Sequence, residues 1–165
     1  MDRIQRILKL MAWYAPRLEQ SAGNPAFPQY GLQYGEMHHA YGTAYLSSTL
    51  AYRRNLSPEI AFAAGLLHDA GRVAGGVSED HPKKAGFLLR SVLEEAGYTF
   101  EEVDIILEAV TSHAYKSFKG SPYSEVLKDA IILERAFSTG TDYADMRKSR
   151  QRLKHGFKEL GFRLK

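Results

Sequence analysis

The chain has 165 residues, 44% hydrophobic and 25% charged, with no cysteine and a formal net charge of +3. That length suits one domain with one core, and the composition is that of a globular chain rather than a disordered or fibrous one. Without cysteine there is no disulfide framework, zinc ribbon, iron–sulfur ligation or thiol nucleophile, so any metal must be held by imidazole and carboxylate.

The segment Met1-Asp2-Arg3-Ile4-Gln5-Arg6 lacks the apolar run of a signal peptide. No stretch approaches the roughly 18 apolar residues of a membrane span. The expectation is a cytoplasmic chain with no membrane partner.

Helical periodicity runs through almost every segment. A first helix over 2–20 puts Ile4, Ile7, Leu8, Met11 and Tyr14 on one face. A loop with Gly23, Pro25, Pro28 and Gly31 covers 21–34, and a second helix runs from 35 or 36 to 54. Ser57-Pro58-Glu59 starts a third helix, with Ser at the N-cap and Pro at the first helical position. It carries Ile60, Ala61, Ala64 and Leu67 inward and ends around Asp69, and Gly71, Gly75 and Gly76 then predict a loop as far as Asp80.

His81-Pro82 opens the next helix, which lasts to about Ala96 before Gly97. Thr99-Phe100-Glu101-Glu102 is a capping box for a helix with Val103, Ile106, Leu107 and Val110 as its apolar stripe, ending near His113. A Gly/Ser/Pro loop over 116–123 leads to a helix containing Val126, Leu127, Ala130, Ile131, Leu133 and Glu134. From Asp142 onward a last helix has Tyr143, Met146, Leu153, Phe157 and Leu160 as anchors. Six or seven helices with short connections give an all-α domain, with a core at about 36–138 and a basic C-terminal helix at about 142–165.

The net charge hides an asymmetry. Residues 147–165 hold eight Lys or Arg against Glu159 alone, a local +7, so residues 1–146 sum to −4. Such a tail either meets phosphate, including nucleic acid, or is a solvated helix face. Tyr41, Tyr45 and Tyr52 recur at helical spacing, which reads first as core packing and second as a wall for base stacking.

The chemistry begins where His68 and Asp69 end a strongly apolar helix, a costly burial unless each has a partner. The dipeptide alone is weak. It gains from His39, His81, His113 and Asp129, each on a separate element or at its end, which suits a site assembled between helices of a bundle.

In these residues the chain resembles the HD-domain phosphohydrolase superfamily, whose ordered signature is His, then His-Asp, then a distal Asp on a helical core. The likeness runs from about His39 to Glu134. Its firmest parts are Leu66-Leu67-His68-Asp69-Ala70-Gly71-Arg72 and Lys128-Asp129-Ala130. Counting 29 residues back from His68, the usual family interval, gives His39 rather than its neighbour His38.

The resemblance implies one divalent ion on His39, His68, Asp69 and Asp129, and a second on His81, His113 and a bridging Asp69. His68 and Asp69 would then sit at the catalytic heart, with Asp69 or a neighbouring carboxylate relaying a proton. Imidazole and carboxylate ligands suit Mn, Fe, Ni, Co or Zn. Two such ions activate water and clamp a phosphate. Arg72, Lys83, Lys84, Lys116 and Lys119 flank ligand positions and are candidate phosphate contacts.

Ala114 after His113, and Lys119-Gly120-Ser121-Pro122-Tyr123 beyond it, depart from the branch that cleaves cyclic dinucleotides. The expected activity is hydrolysis of a phosphomonoester or phosphodiester of a small nucleotide. The alternatives are a di-iron oxygenase, a nuclease using the basic tail, and a non-catalytic HD module.

Overall fold

The computed structural model describes residues 2–21, 35–75, 81–115, 117–139 and 146–162, without the side chains of 74–75, 81–84, 139 and 146–148. The described residues form α1 (Arg3–Ser21), α2 (Gly35–Arg53), α3 (Pro58–Leu67), α4 (Ala70–Gly75), α5 (His81–Ala96), α6 (Phe100–Ser112), α7 (Pro122–Thr139) and α8 (Met146–Glu159). No strand occurs among them, and the all-α expectation holds. No helix among them is long and apolar enough to cross a membrane.

The architecture is built around α3. Every residue from Glu59 to Leu67 is buried, because a helix apolar on all sides can only be the centre of a bundle. It packs against α1, α2, α6 and α7. Ser57 caps it through its hydroxyl at Ile60 N, and Pro58 occupies its first turn. The capping box of α6 is complete, with Thr99 and Glu102 each accepting the other's backbone N–H. Gly97, at φ +94°, closes α5: its N–H donates to the Glu94 carbonyl and that of Tyr98 to the Leu93 carbonyl, a left-handed turn that glycine adopts without strain.

The structure departs from the sequence pattern in three elements. On α1 the buried face is Arg6, Leu10, Tyr14 and Leu18, while Ile4 and Leu8 are exposed. The register is set by Arg6, which donates from Nε to Glu59 Oε1 at 2.6 Å and from both terminal nitrogens to Glu102 at 2.8 and 3.0 Å. Its guanidinium also lies 4.1 Å from the centre of the Tyr98 ring. A bidentate, stacked arginine inverts the apolar rule for this helix.

Secondly, the expected loop after Asp69 begins as α4, because the Asp69 carbonyl accepts from Arg72 N and Val73 N and restarts the helix two residues after α3 ends. Residues 76–80 lie outside the described set. Thirdly, Tyr45 and Tyr52 are exposed rather than core, with Tyr45 edge-on to Phe62.

Helix α8 is not a free tail. Arg152 donates to Asp129 Oδ1 at 2.9 Å and to Glu125 Oε2 at 2.6 Å, and Arg54 spans Asp129 Oδ2 and Glu159 at 2.8 Å each. Leu153 and Phe157 pack with Val126, Ala130 and Leu133 of α7. The fully buried Lys128 ties α7 to the preceding loop by donating to the Phe118 carbonyl at 2.7 Å.

Helices α2 and α3 approach closely at Gly65, where a Cβ would lie 2.8 Å from Ala44 Cα and from Ser47 Oγ, and 2.9 Å from the Thr43 carbonyl oxygen. Two of those three atoms are backbone, so a neighbouring rotamer cannot relieve the overlap. Gly65→Ala is therefore expected to cost about 1–3 kcal/mol of stability, the usual range for overpacking a core. Urea unfolding checks this: an unshifted midpoint would mean that α2 and α3 can part freely.

Candidate metal centre

Two of the site histidines are helix C-caps. His68 follows α3 and His113 follows α6, both in helical geometry. At such positions the last-turn carbonyls lack backbone partners. Each ring satisfies the carbonyl three residues back: His68 Nδ1 donates to Gly65 O at 2.8 Å, and His113 Nδ1 to Val110 O at 2.6 Å. A carbonyl only accepts, so these bonds assign the proton to Nδ1 and leave Nε2 as an acceptor in both rings.

His39 sits inside α2, where the carbonyls are already used by the helix. Its Nδ1 meets the Glu134 carboxylate of α7 instead. All three rings therefore turn Nε2 towards Asp69, at 4.0 Å for His39, 3.4 Å for His68 and 3.8 Å for His113. His39, His68, Asp69 and His113 are all buried.

His39 Nε2 and His68 Nε2 are 3.1 Å apart. Two lone pairs at that separation repel unless a cation or proton lies between them. Two nitrogens bound to one ion at about 2.1 Å and at a right angle to each other lie about 3 Å apart. His39, His68 and Asp69 each offer a ligand atom within 4.8 Å of the others, so the residues present fit a metal ion.

The electrostatics follow from burial. The neutral form of His68 is favoured chiefly by desolvation, with the other two histidines adding to it against the pull of Asp69, and its pKa is pushed down to about 3. For Asp69, burial alone would raise the pKa, but His68, His113, Arg72 and His39 outweigh it and hold the carboxyl well below its ordinary value. Glu134 is likewise held down against burial by its bond to His39.

Glu36, one helical turn before His39, is pushed up to about 7, first by burial and then by the charge of Asp69. Its Oε1 has no hydrogen-bond partner among the described residues. A carboxyl with that pKa can hold or release a proton at neutral pH.

Of the other residues singled out from the sequence, Arg72 reaches Asp69 with Nη1 3.9 Å from Oδ2. His38 is on the outside of α2, with Nδ1 3.6 Å from Glu134 Oε1. Lys119 is exposed. The side chains of His81, Lys83, Lys84 and Lys116 lie outside the described residues.

Asp129 is buried, with one oxygen taken by Arg152 and the other by Arg54, and it ties α8 and the end of α2 to α7. Glu134 and Glu36 were missed by motif reading. For Glu134 a signal existed: a carboxylate directly after Ala130-Ile131-Ile132-Leu133 needs a buried partner, by the argument that drew attention to His68.

An all-helical bundle with His-Asp ending one helix and a second histidine facing it from another defines a class of metal-binding helical domains. The chain belongs to the HD-domain family, whose family model matches residues 37–136. It is 30% identical over 105 residues to a protein named Ribonuclease Y from Chlorobium luteolum, covering 62% of this chain and 18% of that protein. Against the Ribonuclease Y of Chlorobium phaeovibrioides it is 30% identical over 116 residues, covering 68% of this chain and 21% of the relative. The chain thus spans about a fifth of the length of these relatives. No solved structure matches it.

The pKa of His68 gives a test on chelator-treated protein. Its folded value of about 3 lies below the unfolded value near 6.5, so below pH 6.5 the unfolded chain binds the extra proton. Stability is then lost as pH falls from about 6.5 towards the folded pKa, at up to about 1.4 kcal/mol per pH unit from this residue. His68→Gln should flatten the dependence of the urea midpoint between pH 7 and 5; an equal slope in both proteins would refute the assignment.

Proposed function

We propose that this chain is a metal-dependent phosphohydrolase in which His39, His68 and Asp69 hold one divalent transition-metal ion. His113 and His81 would serve a second ion sharing Asp69. Asp129 is left out, because both its oxygens are engaged by arginines. The observation that carries the reading is the convergence of three imidazole Nε2 atoms on one buried carboxylate, each ring fixed from behind through Nδ1.

A divalent ion held there supplies Lewis acidity towards phosphoryl oxygens and an acidified water. The chain's own groups supply the rest. In hydrolysis the water oxygen bonds to phosphorus, the P–O ester bond breaks, and the proton passes to the departing oxygen. Arg72, beside Asp69, would meet a phosphate oxygen, and Glu36 would give or take the proton.

Membership of the HD-domain family and the likeness to two ribonucleases support a nucleotide or nucleic-acid phosphate ester as substrate. The proposal is tested with protein loaded with Mn²⁺, Co²⁺ or Ni²⁺ and offered bis-p-nitrophenyl phosphate, nucleotides and RNA. Turnover is expected, and Asp69→Ala should lose both metal and rate. The reading fails if Asp69→Ala keeps both. It also fails if the iron-loaded protein consumes O₂ while hydrolysing no phosphate ester.

Helix α8 favours a polyanionic substrate over a small one. Arg152 and Glu159 are committed to internal pairs, while Arg150, Lys154 and Lys158 follow one another at four-residue spacing and are all exposed. Three such phosphate contacts predict binding of single-stranded RNA with a slope of about −2 for log K against log salt. Charge reversal at these three positions should remove the slope. A wild-type slope of zero would make the stripe a solvated face.

A further inference from the structure

The metal centre needs three imidazoles aimed by their rear nitrogens, and the fold does this in two ways. The C-cap histidines His68 and His113 use a spare carbonyl of their own helix. His39 has no such carbonyl, and Glu134, from another helix, takes the place of one. We propose that Glu134, not Asp129, is the carboxylate that α7 contributes to the metal centre, acting as a positioning residue that accepts the His39 Nδ1 proton and fixes Nε2 as the metal-facing lone pair.

Glu134 is suited to orienting rather than to ligating. Its Oε2 is held at His39 Nδ1, and its Oε1 accepts from Ser138 Oγ at 2.5 Å and lies 3.6 Å from His38 Nδ1. The residue is only 4% exposed, so its charge sits in low dielectric, where a carboxylate behind an imidazole raises the ligand's basicity more than a carbonyl does.

The facing helix is shaped for it. A Cβ on Gly42 of α2 would lie 3.0 Å from Glu134 Cγ, so a side chain there would press Glu134 away from its present position beside His39. Asp129, five residues earlier on α7, has its charge neutralised by Arg54 and Arg152.

The inference rests on the metal reading above, and the experiment separates the two. Mn²⁺ and Co²⁺ are titrated into the chelator-stripped 165-residue chain, with the Co²⁺ absorption spectrum as a second readout. Glu134→Ala should weaken binding about 10- to 100-fold, the usual effect of removing a carboxylate behind a ligating histidine. Glu134→Gln, whose amide oxygen can still accept the Nδ1 proton, should recover most of that loss and keep the wild-type spectrum.

Gly42→Ala should weaken binding without altering any ligand, which keeps the test usable where Glu134→Ala does not fold. Asp129→Asn should leave the affinity unchanged while speeding amide exchange in α8. If Glu134→Ala and Gly42→Ala bind as wild type does, or if Asp129→Asn alone abolishes binding, the positioning role is wrong and the metal reading stands. Wild-type protein that takes up no ion overturns both.

Discussion

An ionised carboxylate that is 5% exposed at the end of an apolar helix is among the costliest groups a small domain can bury, and Asp69 is such a group. Its compensation cannot come from its own helix. A positive charge reaches it from Arg72, one turn along α4 and 3.9 Å away, while His68 beside it, His39 on α2 and His113 after α6 turn Nε2 acceptors towards it. Bringing these together requires α2 to run almost in contact with α3, which Gly65 permits, and α6 to end beside the end of α3. The packing of the central helices and the geometry of the site are one constraint seen from two sides.

The remaining charged pairs divide from the site. Arg6 with Glu59 and Glu102 fastens α1 to α3 and α6, and Arg54, Asp129, Arg152, Glu125 and Glu159 fasten α8 to α7 and the end of α2. Both are closed: each guanidinium meets carboxylates at hydrogen-bonding distance, and breaking one leaves a partly buried charge unmatched. The site is open by comparison, since its Nε2 atoms face one another and Asp69 with acceptors only. The difference between a closed network and an acceptor-only cluster separates structural charge from charge set for a cation.

Most of the fold was legible because helix punctuation is local. Ser57-Pro58, the Thr99–Glu102 capping box and Gly97 act within a few residues, and each marks the boundary it predicts. His68-Asp69 was legible because polar groups inside an apolar run demand partners. What was not legible depends on distant residues. The α1 face follows Arg6, whose partners are Glu59 and Glu102, and exposure of Tyr45 and Tyr52 follows from what packs on the other side of α2. The partners of the α7 carboxylates were not legible for the same reason: Asp129 and Glu134 are both buried acids on one helix, and only Arg54, Arg152 and His39, brought in from the end of α2, α8 and α2, distinguish their surroundings.

Placing histidines of the cluster at helix ends has a further electrostatic consequence. The last carbonyls of α3 and α6 carry the negative end of each helix dipole, and both helices terminate at the cluster, at His68 and His113. The imidazoles occupy one lone pair on Gly65 O and Val110 O, which polarises the rings towards the same point. With Asp69 ionised and Glu134 behind His39, two formal negative charges and two helix C-termini meet in a volume from which water is largely excluded. Arg72 offsets them, with Nη1 3.9 Å from Asp69 Oδ2. The balance is that of a cavity set for a multiply charged cation.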